Sequence, residues 1–276
     1  MPIANFAAAH LPEGSALENL KLLKCENKDQ IANILELHGW KKFEAPMPEV
    51  FYELCSQVRG SIIDVGANTG FYSILAAAST SSKNKIVAFE PDPKIIPILE
   101  NNLKLNGIYN RVSLHKEALS SHMGSAKLYI PTQEHGLIET SSSLEKSFKD
   151  AHSECLDVNI STLDSHWGAF RMMNEPIAIL KIDVEGHESD VLLGAQKIIK
   201  KFKPIIFIEI LPNANLEVIN NFIQENNYLD TRLRPSGASD VGLKVFFEDN
   251  AWNHILFPND NSYNNRLVRD IINKNY

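Results

Sequence analysis

Residues 61–73 read SIIDVGANTGFYS, and this stretch decides the fold. Its first five residues, Ser61–Val65, form a short β-branched, apolar run that predicts a buried parallel strand. The GANTG segment that follows is rich in glycine and asparagine, which tolerate positive φ and let the backbone approach a ligand closely. Apolar residues from Phe71 onward predict a helix. A strand that runs through such a turn into a helix is typical of a nucleotide cradle, because amide groups and the helix dipole face the ligand.

The position of an acid separates this turn from a dinucleotide site. The G-x-G-x-x-G fingerprint is absent, and the spacing is D-x-G-x-N-x-G with Asp64 before the first glycine. S-adenosylmethionine (SAM) has no pyrophosphate to cradle, and the amino group of its methionine moiety favours a nearby acid. The turn therefore favours SAM over a nicotinamide dinucleotide, while a tight strand–helix turn without a ligand would show the same residues.

A second acid lies where a mononucleotide-binding unit needs one. The β-rich run Ile86–Phe89 ends in Glu90-Pro91-Asp92-Pro93. Glu90 follows the first glycine by about two dozen positions, as expected for an acid at the end of the second strand. A carboxylate there can accept hydrogen bonds from both ribose hydroxyls. The two prolines end the strand and begin the next helix.

Further strands alternate with helices along the rest of the chain. Strands are predicted at VSLH (residues 112–115), IAILKID (177–183) and PIIFIEI (204–210), with helical patterns between them. Such alternation predicts a parallel sheet. The polar, Ser-rich segment at 132–150 predicts a substrate loop or lid, since long loops in compact domains are usually functional or mobile.

The first 54 residues are predicted to form a separate helical extension. Apolar residues recur at helical spacing over 15–24 and 29–38. We therefore expect an N-terminal helical extension at 1–54 and the main domain at 55–276. That domain would carry an insertion of strand and loop at about 120–170.

Six segments follow one another in the order and spacing of the FkbM-type SAM-dependent methyltransferases. They are IIDVGANTGFYS, AFEPDP, NNLKLNG, KEALS, STLDS and LKIDVEGHE. The chain resembles this family over about residues 55–260. The resemblance implies the Rossmann-like α/β fold of class I methyltransferases, a mostly parallel seven-stranded sheet with a C-terminal antiparallel hairpin. It also implies methyl transfer to a hydroxyl, often on a sugar, glycolipid or polyketide.

The cofactor site follows from the turn, the second acid and this resemblance. In the methyltransferase fold an acid and a backbone amide commonly read the adenine after the third strand. Glu117 and the backbone of Ala118 occupy that place, although a surface loop is an equal alternative. The predicted cofactor-binding residues are Asp64, Gly66, Ala67, Asn68, Gly70, Phe71, Glu90, Pro91, Glu117 and Ala118.

Acids at the ends of the fourth and fifth strands form the predicted catalytic site. A hydroxyl is a weak nucleophile with a high pKa, so it needs a general base or a metal that lowers that pKa. Asp183 is expected nearest the sulfonium and the acceptor, with His187 or Glu185 as the base and Glu209 beside them. Asp183, Glu209 and His187 could instead hold Mg²⁺ or Mn²⁺.

Composition excludes several other classes of function. The chain has 276 residues with a net charge of −7, which disfavours a nucleic-acid partner. No apolar run approaches the ~20 residues of a membrane span, and the N-terminus lacks a signal-peptide pattern. Three scattered cysteines show no disulfide or metal spacing. We expect a cytoplasmic enzyme with a small-molecule or glycan acceptor, and a homodimer is possible.

Two other functions are compatible with the same cofactor residues. One is SAM-dependent transfer to nitrogen or to a carboxylate, which needs less help from a base. The other is a SAM-binding partner protein without catalysis. The intact acid cluster argues against the second of these.

Overall fold

We describe the protein from a computed structural model. The described residues are 5–80, 84–132, 136–138, 140–149, 152–169, 176–238 and 241–274. Within them the strands are β1 (Phe6–His10), β2 (Asn19–Leu23), β3 (Ser61–Val65), β4 (Ile86–Phe89), β5 (Val112–His115), β6 (Ala118–Leu119), β7 (Gly124–Pro131), β8 (His152–Ser161), β9 (Ile177–Ile182), β10 (Ile205–Glu209), β11 (Tyr228–Arg234), β12 (Gly237–Ala238) and β13 (Asn253–Pro258). The α-helices are α1 (Gln30–His38), α2 (Met47–Gln57), α3 (Phe71–Ser79), α4 (Ile96–Leu105), α5 (Leu163–Ala169), α6 (Glu188–Leu193), α7 (Gln196–Phe202), α8 (Leu216–Asn226) and α9 (Tyr263–Ile272).

The central sheet has the strand order β12-β11-β13-β10-β9-β3-β4-β5. Strands β5, β4, β3, β9 and β10 run parallel, and β13 lies antiparallel between β10 and β11. The predicted mostly parallel Rossmann-like sheet is therefore confirmed. At its C-terminal end β13 pairs antiparallel with β11. The described residues give this sheet eight strands rather than the seven predicted, because the two-residue β12 pairs with the outer edge of β11.

Alternate residues of the central strands face opposite sides, and both sides are covered. On β10, Ile205 and Phe207 belong to one apolar cluster while Ile206 and Ile208 belong to the other. All four side chains are fully buried. A sheet buried on both faces explains why its strands read as continuous apolar runs.

The N-terminal segment contains a β-hairpin where the sequence predicted its first helix. Strands β1 and β2 pair antiparallel, and β2 buries Leu20 and Leu22 while its other residues are half-exposed. This alternation of period two determines the structure, and the helical spacing of the leucines is coincidental. The prediction of a helix over 15–24 is wrong, whereas the helix over 29–38 is confirmed as α1 with Asp29 as its N-cap.

Side chains of α4 bond to the free edge of that hairpin. Asn102 accepts from the backbone amide of Leu23 at 2.8 Å, and Asn106 accepts from the amide of Lys21 at 2.9 Å. The Asn102 amide also donates to the carbonyl of Thr69 at 2.8 Å. One buried asparagine thus joins the N-terminal hairpin to the glycine-rich turn.

The predicted insertion forms a second, three-stranded sheet. Strand β8 pairs antiparallel with β7 and parallel with β6. Residues 140–149 are the described part of the predicted loop after residue 139. They lie between β7 and β8 in the sequence.

Candidate active site

A cavity of about 460 Å³ lies at the carboxyl ends of β3, β4, β9 and β10. Ligands of open α/β sheets bind in this position. The volume falls within the range of small-molecule sites. The lining includes eight predicted cofactor residues, Gly66, Ala67, Asn68, Phe71, Glu90, Pro91, Glu117 and Ala118. It also includes all four predicted catalytic residues, Asp183, Glu185, His187 and Glu209.

Backbone amides hold the Glu90 carboxylate in the cavity wall. Its Oε2 accepts from the amide of Asn68 and its Oε1 from the amide of Asp92, each at 2.8 Å. Burial raises the pKa of Glu90 to about 7, although both amides oppose the shift. Each oxygen keeps a lone pair for a further donor. The geometry therefore fits a group that presents two adjacent hydroxyls.

The turn after β3 approaches the turn after β9 too closely for a side chain. Gly66 has φ +73°, and a Cβ placed on it would overlap the carbonyl oxygen of Asp183. Gly70 has φ +97° and lies against the side chain of Leu99, so its role is local packing rather than lining of the cavity. Glycine is required at both positions by conformation and by space.

Asp64 lies beneath the turn rather than in the cavity wall. Its side chain is 1% exposed, and its Oδ2 accepts from the Ser73 hydroxyl at 2.6 Å. We expected this acid to meet the amino group of the cofactor. The structure instead favours an indirect role, in which Asp64 supports the groups that line the cavity.

Lys181 connects the turn after β3 with the turn after β9. Its ammonium lies 3.3 Å from Asp64 Oδ1 and 3.2 Å from Asp183 Oδ2, and it donates to the carbonyl of Gly66 at 3.1 Å. Burial lowers the pKa of Lys181, but the carboxylates of Asp183, Asp64 and Glu44 outweigh it and the pKa is raised. Lys181 therefore stays charged and fixes the position of Asp183.

Three further carboxyl groups surround Asp183 in the cavity. Burial, followed by repulsion from Asp183, raises the pKa of Glu44 to about 7. The same two causes raise the pKa values of Glu185 and Glu209 well above the ordinary range. Glu209 Oε2 is buried and has no hydrogen-bond partner among the described residues. This cluster, Glu44, Asp183, Glu185 and Glu209, favours a positively charged ligand or a protonated acid.

Glu44 was missed in the sequence. It precedes α2 in the N-terminal segment, and its Oε2 accepts from the hydroxyl of Tyr72 at 2.7 Å. No strand end or glycine-rich turn lies beside it in the sequence. Its place in the wall depends on packing between distant segments, which local patterns do not report.

Both ring nitrogens of His187 are already engaged. Nε2 lies 2.9 Å from the Ser120 hydroxyl and Nδ1 lies 2.7 Å from Glu145 Oε1. This arrangement favours a positioning role over the predicted role as a general base. Glu188 Oε1 accepts from two backbone amides of the preceding turn at 3.1 Å each, so it holds that turn in shape as expected of a capping residue.

The segment 140–149 lies against the cavity. The Ser142 hydroxyl donates to Asp92 Oδ2 and the Ser143 hydroxyl donates to the carbonyl of Glu185, each at 2.7 Å. Ser142 also lines the cavity itself. The predicted loop thus contacts the turn after β4, which carries Asp92, and the turn after β9, which carries Glu185.

The predicted metal donors are not brought together. Among the described residues, Asp183, Glu209 and His187 do not form a group whose ligand atoms all lie within 4.8 Å of one another. Two other groups meet that condition, namely His115 with Glu117 and His166, and Glu145 with His187 and Asp190.

Comparisons with known proteins agree with this geometry. Residues 64–229 match the methyltransferase FkbM domain. Methyltransferase sdnD of Sordaria araneosa is 28% identical over 196 residues, which cover 60% of this chain and 74% of that protein. Methyltransferase 1 of Beauveria bassiana (strain ARSEF 2860) is 24% identical over 164 residues, which cover 53% of this chain and 64% of that protein.

Solved structures align with this chain at low identity. The methyltransferase FkbM of Methylobacillus flagellatus is 16% identical with a TM-score of 0.46, over 76% of this chain and half of that one (50%). The O-methyltransferase TomG of Streptomyces achromogenes, solved with SAM, is 11% identical with a TM-score of 0.48, over 84% and 86% of the two chains. Among the helices described, we find none that combines the length and the apolar content of a membrane span.

Proposed function

Because the chain belongs to the FkbM methyltransferase family and is a SAM-dependent methyltransferase, we propose that it methylates a hydroxyl. The acceptor would be a sugar, a glycolipid or polysaccharide, or a secondary metabolite. The observation that carries this proposal is the cluster of Asp183, Glu185 and Glu209 in the cavity, with raised pKa values at both glutamates. A hydroxyl needs a base of this kind, whereas a neutral amine does not.

The cavity offers a complementary group for each part of the cofactor. Glu90 would accept both ribose hydroxyls, since its two oxygens are fixed by backbone amides. Glu117 and the backbone of Ala118 would read the adenine from the same cavity wall. Glu44, rather than Asp64, would be the acid nearest the amino group of the cofactor's methionine moiety, because Glu44 lines the cavity and Asp64 does not. The excess of carboxylates suits a ligand that carries an ammonium and a sulfonium.

Glu209 is the best candidate for the general base. Its Oε2 has no hydrogen-bond partner in the part of the chain that the structure describes, so it can accept a proton without losing a contact seen there. Its raised pKa makes it a stronger base once a nearby positive charge helps to ionise it. Asp183 is already paired with Lys181, and this pairing makes it a positioning group rather than the base.

The proposed reaction is an in-line displacement at carbon. Bound SAM supplies a methyl group on a sulfonium, which leaves as a neutral thioether and needs no acid. Glu209 takes the proton of the acceptor hydroxyl while the hydroxyl oxygen bonds to the methyl carbon. Asp183 and Glu185 orient the acceptor, and much of the rate comes from holding the two reactants in line.

An aromatic side chain next to Glu209 supports a sugar acceptor. Trp252 lines the cavity and is 44% exposed. Its carbonyl accepts from the amide of Ile210 at 2.7 Å, which places it beside the end of β10. An indole presents an apolar face to the C–H groups of a sugar ring and a polar N–H to its hydroxyls.

Release of S-adenosylhomocysteine from SAM tests the proposal. The purified chain would be assayed with acceptors that carry hydroxyl, amine or carboxylate groups. We expect turnover with hydroxyl acceptors and a loss of about 100-fold or more in kcat for Glu209→Gln. Glu225→Gln, which changes an exposed acid on α8, is the matched control.

Binding must be measured beside turnover. Glu209→Gln should leave the Kd for S-adenosylhomocysteine within about twofold of wild type, because we place its role in proton transfer. Turnover confined to amines, or full activity of Glu209→Gln on a hydroxyl acceptor, would contradict the proposal.

A further inference from the structure

Three potential metal ligands meet beside the adenine end of the cavity. His115 ends β5, Glu117 lies in the turn that follows, and His166 lies on α5. His166 Nε2 is 3.2 Å from Glu117 Oε1, and His115 Nδ1 is 3.7 Å from the same oxygen. All three ligand atoms lie within 4.8 Å of one another. The proposed methyl transfer uses neither histidine.

These separations match the edges of a tetrahedral site. Zinc lies about 2.0–2.1 Å from histidine nitrogen and about 2.0–2.2 Å from carboxylate oxygen. Two ligands at those distances in tetrahedral geometry are about 3.3 Å apart. The two measured separations, 3.2 Å and 3.7 Å, bracket that value. The third separation, between the two histidine nitrogens, lies within 4.8 Å.

The surroundings hold the two imidazoles in place. The ring of His115 stacks on Phe89 with centroids 4.8 Å apart. His166 meets both rings edge-on, at 5.1 Å from Phe89 and 4.9 Å from His115. The Ser161 hydroxyl, 2.7 Å from His166 Nε2, lies next to the cluster.

The other group of donors lacks this spacing. Glu145 Oε1 is 2.7 Å from His187 Nδ1, which is a direct hydrogen bond, and Asp190 Oδ2 is 4.0 Å from the same nitrogen. Its members also hold the segment 140–149 against the turn after β9. This second group therefore serves as an internal comparison rather than as a competing site.

We propose that His115, Glu117 and His166 form a binding site for a divalent transition metal of the zinc class. Two imidazoles and one carboxylate suit Zn²⁺ and not the harder Mg²⁺. A water or the Ser161 hydroxyl would complete the coordination. Glu117 also lines the cofactor cavity, so the ion would sit at the edge of that cavity.

Cobalt absorption tests the site directly. Chelator-treated full-length protein would be titrated with Co²⁺, whose visible d–d bands report tetrahedral coordination, and Zn²⁺ would then be added to displace it. We expect one equivalent of Co²⁺ to bind with these bands. His166→Ala and His115→Ala should each weaken binding by more than about 100-fold, since even loss of an outer-shell partner costs about 10- to 100-fold.

Two control variants make the outcome specific. His122→Ala removes an exposed histidine, and Glu145→Gln disrupts the other group of donors, so both should bind Co²⁺ as wild type does. The two histidine variants lie on different elements, and a thermal unfolding scan of each confirms that it is folded. Absence of tetrahedral bands in wild type, bands that survive both histidine changes, or bands lost in Glu145→Gln would overturn the proposal.

Discussion

The raised pKa of Glu90 predicts that cofactor affinity depends on pH near neutrality. Burial raises this pKa to about 7 in the free protein. Ribose hydroxyls donate to the ionised carboxylate, and protonation removes one acceptor oxygen. The affinity for S-adenosylhomocysteine should therefore be highest well above pH 7 and fall as the pH drops through 7. If the complex needs the ionised form, Kd for S-adenosylhomocysteine rises about tenfold from pH 8 to pH 6, from the ionised fractions at a pKa of about 7.

Glu90→Gln separates this effect from other titrations. The amide keeps one acceptor oxygen and has no proton to gain, so the rise in Kd between pH 8 and pH 6 should be clearly smaller in this variant than in wild type. At pH 8 its Kd should exceed that of wild type by about 10- to 100-fold, since a hydrogen bond to a charged group contributes about 1.5–3 kcal/mol. Isothermal titration calorimetry measures both quantities.

Glu44 provides the sharpest comparison, because burial and Asp183 raise its pKa to about 7 as well. Glu44→Gln should keep the pH dependence if Glu90 is its source. A flat wild-type profile would refute the reasoning. So would a slope that persists in Glu90→Gln and disappears in Glu44→Gln.

Three more outcomes are expected. Gly66→Ala should destabilise the protein far more than Gly107→Ala in thermal unfolding. Both glycines have φ near +70°, but of the two only Gly66 would place its Cβ against a backbone atom, the carbonyl oxygen of Asp183. Equal losses would show that strain in φ alone matters. Asn102→Ala should lower the free energy of unfolding by about 2–4 kcal/mol in urea, because two backbone groups lose buried partners, and the exposed Asn101→Ala should change it little. EDTA should leave turnover unchanged, because Asp183, Glu209 and His187 do not meet and the proposed zinc-class site at the cavity edge contains no reacting group; a loss that Mg²⁺ restores would contradict this.

The meeting of most predicted cofactor residues in one cavity could be predicted from the sequence because its signals are local. Strand β3, the positive-φ turn and the start of α3 are contiguous, and Glu90 follows the next strand at a regular interval. The order of parallel strands follows from their alternation with helices. For these residues, sequence neighbours are also structural neighbours.

The rest of the site depends on contacts between distant segments. Asp64 points beneath the turn because Lys181, more than a hundred residues later, lies there. His187 is occupied by Glu145 from the insertion, and Glu44 reaches the cavity from the N-terminal segment. The segment of β2 was mistaken for a helix because Leu17, Leu20 and Leu23 recur every three residues, a helical spacing, whereas the buried pair on the strand is Leu20 and Leu22.

The walls of the cavity have consequences for how relatives of this chain differ in specificity. The family match spans residues 64–229, yet Phe43 and Glu44 precede it and Trp252 and Asn253 follow it. The matched core thus holds most of the residues proposed to bind the cofactor, while the flanking segments close the cavity from two sides. Exchange of the C-terminal flank, with Trp252 and Asn253, should alter the acceptor, whereas exchange of the N-terminal flank would also remove Glu44 from the methyl donor. A fragment trimmed to residues 64–229 would lose β13 from its sheet and the cavity residues of both flanks.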